Sequence, residues 1–136
     1  MVKIIMGLKG SGKTKQLIEL VKSAVDEEHG NVVVIERGQK LTYDIPYTAR
    51  LIEASQYGFK NYDFLQGFIS GLHAGNYDIT HIFIDSLFKI INVGLDENAG
   101  KFLDWCEDFS SRENVKFTMT ISADSALATE GIRKFF

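Results

Sequence analysis

Apolar residues along this 136-residue chain fall into two kinds of run, and the two kinds alternate. Short continuous runs have the length and character of strands buried on both faces: Val2-Lys3-Ile4-Ile5-Met6, then Val32-Val33-Val34-Ile35 within 31–36, then His81-Ile82-Phe83-Ile84-Asp85. Between them the apolar residues space out at helical intervals. Leu17, Ile18, Val21, Ala24 and Val25 predict a helix over about 13–28, stopped by Gly30. Asn61 and Asp63 can cap a second helix whose apolar residues are Phe64, Leu65, Phe68, Ile69 and Leu72. Gly67, Gly71 and Gly75 recur every four residues on another stripe of that helix. An interior glycine costs roughly 1 kcal/mol against alanine, so this stripe is expected to lie close to another backbone, with simple tolerance as the alternative. A third helix, about 96–112, presents Ala99, Phe102, Leu103, Cys106 and Phe109. Residues 50–54 add a strand. Residues 115–122 alternate, with Val115, Phe117, Met119 and Ile121 on one side and Lys116, Thr118, Thr120 and Ser122 on the other. Residues 123–136 suggest a short helix and a partly ordered tail.

Strands alternating with helices predict one domain over residues 1–136: a three-layer α/β fold around a mainly parallel sheet of about five strands. With 45% apolar residues the chain has core enough to need neither disulfides nor a structural metal. Its single cysteine, Cys106, excludes an internal disulfide and a cysteine-based zinc site, and it falls on an apolar helical stripe. The net charge of −3 leaves no electrostatic footprint for a nucleic acid or an anionic membrane. No apolar run approaches membrane-spanning length, and the N-terminus enters a glycine-rich stretch too soon for a signal peptide. A cytoplasmic protein is expected. His29 and His73 sit near helix C-termini and His81 starts a strand; none has the setting of a ligand.

That glycine-rich stretch carries the chemistry. Gly7-Leu8-Lys9-Gly10-Ser11-Gly12-Lys13-Thr14 matches G-x-x-x-x-G-K-[ST], between a strand and a helix as the motif requires. Its fixed positions coincide by chance in roughly half a percent of chains this long. Gly7, Gly10 and Gly12 let the backbone turn tightly and approach phosphate oxygens. Their amide N–H groups, with the N-terminal end of the helix, form an anion nest. Lys13 is expected at the β- and γ-phosphates, and Thr14 at Mg²⁺. Lys9 and Ser11 complete the loop, with Lys9 adding positive potential.

In an α/β sheet, ligands sit at the carboxyl ends of the strands. Asp85 closes a hydrophobic strand, the Walker B pattern, and is expected to hold a water on the Mg²⁺. Glu36 ends the second strand, where it can serve as general base or orient water near the γ-phosphate. Ser122 and Asp124 follow the last strand and are candidates for sensing that phosphate.

Residues Gly7 to Thr14 and Ile82 to Asp85 resemble those of the P-loop NTPase superfamily, and a further strand ending in Ser122 is similar to its RecA-like branch. The whole chain resembles a group of small bacterial P-loop proteins of uncharacterised role, sometimes labelled twitching-motility ATPases. It has no counterpart of the acidic and histidine boxes of pilus-retraction ATPases. Many RecA-like members carry a catalytic glutamate directly after the Walker B aspartate; here Ser86 stands there. Others place it at the end of the strand after the P-loop helix, and Glu36 matches that placement. No [NT]-K-x-D segment reads guanine as in Ras-type GTPases, Leu8 stands where partition-type ATPases have lysine, and one cysteine cannot build the zinc lid of thymidine kinases.

The resemblance implies binding of ATP with Mg²⁺ and slow hydrolysis, accelerated by a protein partner or by homo-oligomer assembly. Two alternatives stay open. A small nucleoside or small-molecule kinase would use Glu36 as its base, with Tyr43, Tyr47, Tyr57, Phe59 and Tyr62 holding an acceptor base. A nucleotide-gated regulatory module would bind without turnover, which Ser86 favours.

Overall fold

Five segments pair side by side because they carry apolar side chains or threonines on both faces, which a sheet covered on both sides can bury. The computed structural model describes residues 1–136. Its strands are β1 (Val2–Gly7), β2 (Asn31–Glu36), β3 (Arg50–Glu53), β4 (Ile79–Ile84) and β5 (Lys116–Ser122). They form one sheet in the order β1-β5-β4-β2-β3, with every pair parallel. Helices α1 (Lys13–Glu27), α2 (Tyr62–Gly75), α3 (Leu87–Ile90), α4 (Glu97–Glu113) and α5 (Glu130–Arg133) make the connections and the tail. The three-layer α/β architecture and the five strands are those expected from the alternation of runs.

The period-two alternation of side chains sorts the core into two layers. Val32 and Val34 of β2 and Phe83 of β4 face α1, packing with Leu17, Val21 and Ala24 and with Leu41, Ile45 and Ala49 of the β2–β3 connection. Val33, Ile35, Ile82, Ile84, Phe117, Met119 and Ile121 face the other way, onto α2, α4 and α5. Cys106 lies in this larger cluster, where burial pushes its thiol well above the usual range and leaves it unreactive. No helix is long and apolar enough to cross a membrane.

One feature goes beyond the sequence reading and two differ from it. The polar side of β5 is buried, since β5 lies between β1 and β4 with α1 over that face; Thr118 and Thr120 are 3% and 1% exposed. Both hydroxyls are partnered, as burial demands: Thr118 Oγ1 with His81 Nε2 at 2.9 Å, Thr120 Oγ1 with Asp85 Oδ1 at 2.8 Å. The tail is packed, with Ile132 and Phe135 buried and the Phe135 carbonyl accepting from Ile4 N at 2.8 Å on the outer edge of β1. The glycine stripe of α2 does not meet a backbone: Gly67, Gly71 and Gly75 are exposed, and a Cβ at any of them would touch nothing within 4 Å. The close approach lies between α4 and α5, where a Cβ on Gly100 would sit 3.3 Å from the Gly131 Cα, and one on Gly131 3.2 Å from the Gly100 Cα.

These glycines therefore respond oppositely to the same substitution. Gly71→Ala should stabilise the fold by roughly 0.5–1 kcal/mol, through helix propensity and a less flexible unfolded chain. Gly100→Ala should destabilise it by about 1–3 kcal/mol, because neither backbone can give way easily. Urea denaturation of the two variants checks both signs.

Candidate functional site

Helix α1 begins without the provision its neighbours have. Asn61 caps α2 by accepting from Phe64 N, and Asp96 caps α4 by accepting from Asn98 N. The cap residue of α1 is Gly12, which has no side chain, and the first turn of α1 holds no acidic residue. Its leading N–H groups are thus left for another acceptor, and the positive end of a 15-residue helix faces the same way. Gly10 and Gly12 both have φ of 86°, a conformation that side-chain-bearing residues avoid, and they fold the loop over this helix end.

Within the loop, Lys13 is buried. Its Nζ donates to the Leu8 carbonyl at 2.9 Å and to Ser11 Oγ at 3.4 Å, which leaves it a third donor. Burial draws its ammonium below the ordinary lysine range; Asp85 opposes that shift and Lys89 adds to it. Gly7 lies close under Ser11, whose Oγ would be 2.7 Å from a Cβ there.

Across the sheet edge stands Asp85, buried, directly after β4. Its Oδ1 accepts from Thr120 Oγ1 at 2.8 Å and from Thr14 Oγ1 at 3.4 Å. The Thr120 hydroxyl in turn accepts from Ser86 N at 2.7 Å, and Asp85 N donates to the Ile35 carbonyl at 2.9 Å. Asp85 is therefore held from both neighbouring strands, its carboxylate from β5 and its backbone from β2. A hydroxyl and a carboxylate so placed are hard oxygen donors of the kind Mg²⁺ takes. No group of three or more His, Cys, Asp or Glu side chains is assembled, so a metal here would draw its remaining ligands from phosphate and water. Ser86 has φ of 56°, an uncommon left-handed conformation for serine, at the exit of the strand that carries Asp85.

The loop opens onto a cavity of about 360 Å³ lined by Lys9, Lys13, Lys15, Lys40 and Lys89, with Gly10, Gly12, Thr14, Asp85, Ser86 and Ser122. Five lysines face one carboxylate, and none of the five forms an ion pair within the protein. In a chain of net charge −3 this is a strongly localised positive field, suited to a polyanion. The structure brings together Gly10, Gly12, Lys13, Thr14 and Asp85, with Lys9 and Ser122 on the rim. Asp124 instead caps a 3₁₀ turn, accepting from Ala126 N at 3.0 Å. Lys15, Lys40, Lys89 and Thr120 were missed from sequence. Thr120 was visible only as one of four polar residues on a strand face, and no motif marks the three lysines.

Glu36 is 3% exposed and turns into the loop that follows it. Its Oε1 accepts from Lys40 N at 3.0 Å and its Oε2 from Leu41 N at 2.8 Å. Burial raises its carboxyl above the usual glutamate range, with Asp85 and Glu53 adding to the rise and the two amide bonds opposing it. Each carboxylate oxygen keeps one free acceptor position. The aromatic residues proposed for an acceptor base do not gather around it. Tyr43 and Tyr47 are almost fully exposed, Tyr57 and Phe59 pack on Phe68, and Tyr62 stacks on Phe102. At the far end of β4, His81 Nδ1 lies 2.7 Å from Glu28 Oε2, and burial draws the imidazole below its ordinary range.

Comparison of the chain with protein-family models and with curated proteins finds no match.

The Glu36 contacts carry an expectation apart from any reaction. Glu36→Ala leaves the buried Leu41 amide without an acceptor, a loss of about 1–3 kcal/mol. Chemical denaturation should show it, with faster hydrogen exchange at Lys40 and Leu41. Because the Glu36 carboxyl is raised in the folded state, its contribution to stability is present below the unfolded glutamate value, about 4.3. It is lost as the pH rises through the raised folded value.

Proposed function

We propose that this protein binds ATP as its Mg²⁺ complex and hydrolyses it slowly. The observation that carries the reading is the pairing of an uncapped helix N-terminus under a glycine loop with the Thr14–Asp85 contact of 3.4 Å across the same lysine-lined cavity. Each part has a task in triphosphate chemistry. The loop amides and Lys13 take the phosphate oxygens, Lys13 as a point charge whose desolvation strengthens its attraction. Mg²⁺, when bound, neutralises charge on the phosphates; Thr14 and Asp85 are the residues that would hold it, Asp85 through water. Thr120 and the Ile35 carbonyl fix the Asp85 segment, so the carboxylate keeps its position without the metal's help. Glu36 is the other carboxylate that lines the cavity beside Asp85, and burial raises its carboxyl above the usual glutamate range, which suits a general base. Transfer to a small acceptor in place of water is a second reading, favoured by a separate polar cavity beside Glu36.

Calorimetric titration with and without Mg²⁺ tests the binding. Lys13→Ala should weaken ATP binding about 10- to 100-fold while folding is kept, the worth of a charged hydrogen bond to phosphate. Asp85→Asn should reduce Mg²⁺-dependent binding and leave metal-free binding much less affected. Equal losses in both conditions would make Asp85 a structural residue only.

Turnover is tested at Glu36. Glu36→Gln should bind Mg²⁺–ATP nearly normally and release ADP about 10²-fold more slowly, the usual contribution of a positioned base. Equal ADP release by variant and wild type would remove the catalytic role.

A further inference from the structure

A second cavity of about 350 Å³ adjoins the loop cavity, with Lys40, Asp85, Ser86 and Lys89 as the shared wall. Its other lining residues, Glu36, Arg37, Gly38 and Ser55, belong to none of the glycine-loop machinery. The volume is at the low end for small-molecule sites, roughly 300–1,000 Å³, and on the order of ten waters would fill it. Such sites are usually apolar, yet no apolar or aromatic side chain lines this one. Three cations, Arg37, Lys40 and Lys89, face Glu36 and Asp85, and none of the three cations is spent in an ion pair. Arg37 is fixed through its own backbone, since its carbonyl accepts from Ser55 N at 3.0 Å and ties the β2 exit to the β3 exit.

We propose that this cavity seats a phosphoryl acceptor: a small, hydroxyl-bearing anion, phosphorylated or carboxylated, whose charge is held by Arg37 with Lys40 and Lys89. This rests on the nucleotide reading of the loop cavity. The lining selects the class. A nucleoside would need an aromatic or apolar platform for its base, and a neutral polyol would leave three cations matched by only two carboxylates. Because Lys40, Asp85, Ser86 and Lys89 line both cavities, the two adjoin, and an acceptor in the second would lie beside the phosphates of a nucleotide in the first. The acceptor hydroxyl oxygen attacks the γ-phosphorus and forms a new P–O bond. The bond from that phosphorus to the β–γ bridging oxygen breaks, and its electron pair leaves on ADP. The hydroxyl proton passes to a free acceptor position on the Glu36 carboxylate. Water in the same cavity gives the slow hydrolysis.

The test uses full-length protein saturated with Mg²⁺ and the β,γ-imido analogue of ATP, titrated with glycerol 3-phosphate and 3-phosphoglycerate, and with glycerol and adenosine for comparison. At least one of the two anions should bind and the two uncharged compounds should not. Arg37→Ala should weaken anion binding about tenfold or more, as loss of a charged hydrogen bond does, and Arg37→Lys should weaken it less. Arg37 is exposed and lines only the second cavity, so affinity for the analogue should be kept. With ATP in place of the analogue, the anion that binds should receive the phosphoryl group, seen as a new ³¹P resonance. Failure of wild-type protein to bind Mg²⁺–ATP would overturn the nucleotide reading and this proposal with it. Normal nucleotide binding with no Arg37-dependent anion binding, with preference for adenosine, or with bound anion that never receives phosphate would overturn this proposal alone.

Discussion

Neighbouring strands of a sheet lie about 4.8 Å apart, and that spacing sets the dimensions of this site. Because β5 is inserted between β1 and β4, the strand that launches the glycine loop and the strand that ends in Asp85 stand two spacings apart, about 9.5 Å. A gap of one spacing would press Asp85 against the loop. Two spacings leave a channel with the loop on one bank, the carboxylate on the other and the end of β5 as its floor. Thr120 occupies that floor and turns it into a support, donating to Asp85 and accepting from Ser86 N. Its one hydroxyl holds two successive residues at the exit of β4.

The second constraint is electrostatic. Most of the acidic residues of the chain are spread over helices and loops, while Lys9, Lys13, Lys15, Arg37, Lys40 and Lys89 gather at the carboxyl edge of the sheet around two carboxylates. Assembling like charges costs free energy unless a partner offsets it. Lys13 shows the strain most clearly, its ammonium drawn down by burial and by Lys89 and held up by Asp85. The arrangement favours ligands that bring negative charge and bring it to both cavities.

Much of the fold was legible in the sequence because strand and helix periods are local properties. The bounds of β2 and the burial of Leu17, Val21 and Ala24 follow from spacing alone. The glycine loop was legible because its chemistry is contiguous. What escaped the reading is set by packing between distant segments. The alternation of β5 marked Thr118 and Thr120 as polar, but only the strand order shows that this face is buried and that one of the two supports Asp85. Regular glycine spacing on α2 pointed to a backbone contact, whereas the contact lies between isolated glycines thirty-one positions apart, Gly100 and Gly131. Lys40 and Lys89 sit on a loop and a single helical turn, where nothing periodic marks them.

The strand order also governs when the site can exist during folding. β1 has one sheet neighbour, β5, pairing Val2 with Phe117, and its other edge is met by Phe135. The strand that launches the glycine loop is thus hydrogen-bonded into the sheet only by residues more than a hundred positions away. Pairings of such sequence separation form slowly, since loop-closure entropy opposes them before their contacts form. β2, β4 and α1 can associate earlier, so the glycine loop is expected to be among the last parts to become rigid. A partly folded chain thus holds the lysines without the loop geometry that gathers them at one edge.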